Sequence, residues 1–238
     1  MNSRVLAGIA VAAVTLIGAA QAQAAPIVFF GEGGTVGAGA AATARANFLA
    51  ALSAGVSSED FEGISAGTNT PFGVSFTGGL GTINATLGGT ATVLNSSGAG
   101  RFATSGVNYV ESRPGFNVDF GMTQVAAFGF FATDIGDFSG QLSLDLLTSG
   151  GTNNVVVPHT VGSGGSTDGL LLFYGVIDTV DQFTRVTFNN TDTNDAFGFD
   201  DLTVGDVAQV TIPEASTLGL FGLGLLGLGL AARRRKSA

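Results

Sequence analysis

Acidic and hydroxyl side chains supply most of the chemistry open to this chain, and their spacing favours turns and ion binding over catalysis. Asp192-Thr193-Asn194-Asp195 places oxygens at alternate positions, and Asp134 and Asp137 stand in a second polar turn. The first run lacks the glycine and the distal glutamate of an EF-hand loop. Asp and Asn also favour turns because their side chains bond nearby backbone. Both groups therefore read as turn residues, with an ion site as the alternative. Gly63-Ile64-Ser65-Ala66-Gly67 matches G-x-S-x-G, but a nucleophile elbow needs a strand–turn–helix and a histidine downstream. The single histidine, His159, follows Pro158 and reads as a loop or strand-end residue. Gly222-Leu223-Gly224-Leu225-Leu226-Gly227 matches G-x-G-x-x-G inside a hydrophobic run with no strand before it, which rules out dinucleotide binding. Glycoside hydrolysis needs two carboxylates roughly 5 to 10 Å apart across a cleft, and no pair is marked for that role. Tyr109 and Tyr174 carry the only amphipathic rings that could stack on a sugar, since Trp is absent and Phe reads as core. The expectation is a protein that is not an enzyme, with a glycoside hydrolase as a remote alternative.

Composition narrows the field further. Between residues 25 and 212, Arg45, Arg101, Arg113 and Arg185 face seventeen acids, a net charge near −13. Such a surface repels polyphosphates, so nucleic acid is excluded as a partner, and it attracts divalent cations. There is no cysteine, so neither a disulfide nor a thiolate metal site can form. The length suits one domain with a substantial core.

The elements that must position these residues are short and mostly extended. Ala40 to Ser53 is the one helix candidate of the body, with Phe48, Leu49 and Leu52 at helical spacing. Strand candidates are Ile27–Phe30, Gly73–Phe76, Ile83–Leu87, Ala91–Leu94, Asn108–Glu111, Phe116–Phe120, Val125–Ala132, Gln141–Leu147, Val155–Val157, Leu170–Val176, Thr184–Phe188 and Phe197–Val204. Leu142, Leu144 and Leu146 share one face, as do Val186 and Phe188, while Val155–Val157 and Leu170–Val176 read as buried on both faces. Short strands joined by Gly/Asn/Asp/Ser turns predict an all-β, two-sheet sandwich with a short N-terminal helix.

Both chain ends read as membrane chemistry. Arg4 precedes an apolar run from Val5 to Ala20, and Ala20-Gln21-Ala22 and Ala22-Gln23-Ala24 offer A-x-A sites, which predicts a signal peptide over 1–24 cut by signal peptidase after Ala24 or Ala22. At the other end, Leu218 to Ala232 carries only Leu, Gly, Ala and Phe, and Arg233-Arg234-Arg235-Lys236 follows. With Thr217 the run predicts a transmembrane helix over 217–232, its basic flank in the cytoplasm and the body outside. Pro213-Glu214-Ala215-Ser216-Thr217, the greasy helix and the arginine-rich end together resemble the PEP-CTERM sorting signal of Gram-negative bacteria, with Ala215 where that family usually has a second proline. The resemblance implies recognition by an exosortase, cleavage near Pro213-Glu214 and passage across the inner membrane to the cell surface or extracellular matrix, in organisms that make exopolysaccharide. The expected organisation is a signal peptide at 1–24, an N-terminal segment with the helix at 25–57, the sandwich at 58–207 and the sorting signal at 208–238.

Phe61-Glu62-Gly63, the Phe128-Gly129-Phe130-Phe131 strand and Phe199-Asp200-Asp201-Leu202-Thr203-Val204 together resemble jelly-roll domains, and the last of them resembles the closing strand of many carbohydrate-binding modules. The resemblance implies a structural calcium where the first strand meets the last. The matching residues are Glu62, Asp200 and Asp201, with Glu62 and Asp201 favoured because Asp201 shares the inward parity of Phe197 and Phe199 unless a bulge intervenes. The function expected is an exported structural or adhesive protein linked to exopolysaccharide. The alternative is a carbohydrate-binding module with a structural calcium.

Overall fold

The alternation in the sequence folds into two antiparallel sheets facing each other across a phenylalanine-rich core. The computed structural model describes residues 25–53, 57–78 and 81–211. The expected signal peptide with Ala22 and Ala24, the sorting residues Pro213 and Glu214, the hydrophobic run and Arg233, Arg234, Arg235 and Lys236 lie outside the described residues. Among the described residues, no helix is long and apolar enough to cross a membrane.

One sheet runs β1 (Ile27–Glu32), β11 (Leu171–Ile177), β8 (Ala127–Thr133), β13 (Phe197–Gly205), β6 (Tyr109–Ser112), β5 (Ala91–Leu94), with β2 (Ser57–Glu59) also paired to β13. The other runs β10 (Gly151–Val156), β9 (Leu142–Thr148), β12 (Phe183–Asn190), β7 (Phe116–Asp119), β4 (Gly81–Gly88), β3 (Phe72–Gly78). Leu142, Leu144, Leu146, Val186 and Phe188 point inward as expected and meet Phe116, Phe128, Phe130 and Phe199 in one continuous core. The Phe188 and Phe199 ring centroids lie 4.6 Å apart, and Phe130 meets Phe188 edge-on at 5.0 Å, arrangements favoured by the ring quadrupole.

β8, β11 and β13 are buried along their whole length. The inner faces of β8 and β11 join the main core, and α1 (Ala40–Ala50) covers their outer faces. Phe48 is the wedge of that second layer, and a Cβ added at Gly175 or Gly129 would stand 2.6 or 2.8 Å from its ring. Those two glycines therefore make the slot that lets the helix approach. β1 and α1 are thus built into the sandwich, through β1 on β11 and α1 on the sheet.

Three local readings change. Val155–Val157 is not buried on both faces: β10 is an edge strand, so Val156 is exposed while Val157 is buried. The helix ends at Ala50, short of Ser53. In β13 the register against β8 shifts between Asp200 and Thr203, and Asp201 takes φ 51. This bulge breaks the parity of Phe197 and Phe199, and inward packing resumes at Leu202 and Val204.

Candidate functional site

Two acidic regions flank β13, and they use their carboxylates in opposite ways. The first contains Glu62, Asp200 and Asp201. Because of the bulge, Asp200 and Asp201 both reach the segment that leads into β6. Asp200 Oδ2 accepts from the Thr104 and Ser105 amides at 2.6 and 3.0 Å and from Thr104 Oγ1 at 3.1 Å, while its Oδ1 accepts from the Asp201 amide at 2.7 Å. Asp201 accepts from the Thr104 and Ser105 hydroxyls, both at 3.0 Å. Glu62 Oε1 takes the next two amides, of Val107 and Asn108, at 2.7 and 2.6 Å. Burial and the neighbouring Asp201 push Asp200 up to about 7, and the amides of Ser105, Asp201 and Thr104 pull it back. Glu62 is exposed, and the three acids do not converge as a metal-ligand trio. The structure brings them to one loop, residues 104–108, which they clamp through its own donors.

The second region joins residues that the sequence assigned to separate turns. Asp134 and Asp137 follow β8, and Asp195 immediately precedes β13. Register pairs Gly198 with Thr133, so the two loops emerge side by side. Asp134, Asp137 and Asp195 each offer a carboxylate oxygen within 4.8 Å of the others. Arg101 donates from Nη1 to Asp134 Oδ2 at 2.9 Å and from Nε to Glu111 Oε2 at 2.8 Å. Gly100, at φ 82, passes so close that a Cβ there would stand 2.0 Å from Asp134 Oδ1. Burial, then the charge of Asp137, pushes Asp134 up to about 6. Burial and the facing Asp137 push Asp195 up to about 8, and burial raises Asp137 as well. Asp192 does behave as a turn residue, accepting from the Asn194 amide at 2.7 Å.

The remaining candidates are absorbed by the fold. Tyr109 and Tyr174 are fully buried, so neither ring can stack on a sugar; the exposed aromatic ring among the described residues is Phe138. His159 accepts from the Leu142 amide at Nε2, 2.9 Å, and its Nδ1 lies 2.9 Å from the Thr160 carbonyl, which makes it the Nδ1–H tautomer holding a strand end. Ser65 lies exposed in the turn between β2 and β3, with no helix after it. An open cleft of about 540 Å³ lies elsewhere, between the edge strands β1 and β10, and Val28, Thr152, Asn153, Asn154, Asp178 and Asp181 help to line it.

The described chain ends in a fixed place. A one-turn 3₁₀ helix, Val207–Gln209, is capped reciprocally by Asp206 and Gln209. Val210 then pairs with Leu52, and the Thr211 amide and hydroxyl both bond the Ala51 carbonyl at 2.9 Å. Residues 211–236 match the PEP-CTERM protein-sorting motif. The PEP-CTERM segment thus begins at the residue docked on the end of α1, and the motif indicates export, C-terminal anchoring and exosortase processing. No curated protein matches the chain. Similar solved structures include the CBM22-1 xylan-binding domain of Paenibacillus barcinonensis Xyn10C, at 11% identity and TM-score 0.40, covering 68% of this chain and 99% of that one. The C-terminal family 22 carbohydrate-binding module of Clostridium thermocellum Xyn10B gives 17% identity and TM-score 0.38, covering 65% and 94%. The K2 cleaved adhesin domain of Lys-gingipain gives 15% and 0.38, covering 62% and 96%.

Proposed function

We propose that the chain is a non-catalytic β-sandwich protein, exported and sorted by its C-terminal signal to the cell envelope or an exopolysaccharide matrix, where it acts as a structural or adhesive unit. The observation that carries this reading is the sorting motif at 211–236, which begins at Thr211, docked on the end of α1. The histidine and the buried acidic trio are engaged otherwise than in hydrolysis. The sole histidine is held by two backbone partners, and the Asp134/Asp137/Asp195 acids are buried away from the cleft. Mass spectrometry of the mature protein from surface and matrix fractions tests the proposal. The expected N-terminus follows Ala24 or Ala22, and the expected C-terminus lies near Pro213-Glu214. An intact chain recovered freely dissolved inside cells would sink it.

A second reading, glycan binding, draws support from the cleft between β1 and β10. Its volume of about 540 Å³ falls in the range of small-molecule sites. Asn153, on β10, offers an amide of the kind that binds sugar hydroxyls. On this reading, Asn153→Ala weakens retention on the host polysaccharide while the melting temperature holds. Equal retention of the variant and the parent rejects the cleft as the glycan site.

A further inference from the structure

Asp134, Asp137 and Asp195 are 1%, 3% and 2% exposed. Each keeps one oxygen (Asp134 Oδ1, Asp137 Oδ1 and Asp195 Oδ2) with no hydrogen-bond partner. A buried carboxylate oxygen without a donor is unfavourable, and three in one cluster are worse. Arg101 answers only one of them, and it shares its charge with Glu111. Asp168, from the 162–169 loop, adds a further negative charge beside Asp137 and Asp134. The lone histidine is occupied by backbone, so the free ligands at this end are oxygens alone.

We propose that Asp134, Asp137 and Asp195, with Asp168 at the mouth, bind a divalent cation, calcium, that staples three loops together at one end of the sandwich. The geometry suits that ion. Two oxygens on a common Ca²⁺ lie at most about 5 Å apart, twice the usual Ca–O distance, and the three carboxylate oxygens fall within 4.8 Å of one another. The three orphaned oxygens form the core of a shell that Asp168 and water complete to calcium's six or more, whereas Mg²⁺ holds a smaller octahedron and keeps several waters. An all-oxygen ligand set also selects against softer metals. The loops so joined follow β8 and precede β11 and β13. A chain without cysteine has no disulfide with which to make that connection. The site is distinct from Glu62, Asp200 and Asp201, where Glu62 Oε1 and both oxygens of each aspartate already have donors.

The test is thermal melting of the full-length protein in detergent, first in EGTA and then with CaCl₂ alone added, against equal MgCl₂ as the control for screening of the acidic surface. At calcium one hundred times its Kd, melting rises by roughly 5–10 °C in the parent. Asp195→Asn keeps the side-chain size, melts in EGTA no lower than the parent, and loses the calcium response. Glu62→Gln keeps that response. Three results overturn the proposal: no calcium shift in the parent, a shift that magnesium reproduces in full, or a shift that Asp195→Asn retains.

Discussion

The two acidic regions beside β13 are built from the same residue type and end in opposite states. At Glu62, Asp200 and Asp201 the partner is a loop whose amides and hydroxyls turn toward the carboxylates, so their oxygens hold the loop as acceptors. At Asp134, Asp137 and Asp195 the neighbours are mainly other acids, and three oxygens are left without donors. The donors each carboxylate meets decide what its removal does in the absence of a cation, because deleting a bonded acceptor strands its buried donors whereas deleting an orphaned one strands nothing. Removing a carboxylate should therefore have opposite signs in the two regions.

The largest effect is expected at Asp200. Asp200→Ala strands the buried Thr104 and Asp201 amides and the part-buried Ser105 amide and should cost about 3 kcal/mol, read as an earlier denaturation midpoint at unchanged slope. Asp137→Asn should do the reverse in EGTA. It removes a like charge from the facing Asp195 and Asp134 and should gain about 1 kcal/mol, the free energy of one pKa unit, while abolishing any calcium response. Loss of stability in both variants would erase the contrast. Glu62→Gln belongs to the first class on a smaller scale. Its amide oxygen can still accept from Val107 and Asn108 in an exposed setting, so the loss should be about 0.5 kcal/mol on the same denaturation curve.

Much of the sandwich is legible from period-two patterning, and the acidic regions show where that legibility stops. Leu142, Leu144 and Leu146 declare their face because every second residue is apolar, and Phe116 and Val118 do the same. β2 gives no such signal, since Ser57–Glu59 is polar throughout and is a strand only because β13 offers it an edge. Tyr109 and Tyr174 looked available for sugar because tyrosine is amphipathic, yet both lie in strands, β6 and β11, whose side chains are almost all buried. The parity argument for Asp201 failed at one bulge, which resets the alternation in mid-strand. The trio was the hardest to read. Asp195 stands far along the chain from Asp134 and Asp137, and only the register of β13 on β8 brings them together. The acids at the ends of two predicted strands were visible, whereas the pairing of those strands was not.

His159 tests the boundary between the two regions with the smallest signal. A Cβ at Gly136, between Asp134 and Asp137, would stand 2.9 Å from its ring, so the imidazole backs the loop that carries the trio. Burial lowers its pKa below the ordinary value near 6.5, outweighing the Thr160 carbonyl and Glu32, which raise it. Below about pH 6.5 the unfolded chain binds a proton that the folded chain resists, so the unfolded state holds more protons and stability falls as pH drops; above that pH the contribution is complete. As the only histidine of the chain, its ring gives a single resolved imidazole titration by NMR, which should lie below that of the unfolded protein. His159→Gln should flatten this acid limb of the stability curve and leave the gap between Asp200→Ala and Asp137→Asn unchanged. If His159→Gln closes that gap instead, the loop's position depends on the imidazole, and the orphaned state of the trio would be set by packing against His159 and not by the lack of donors around it.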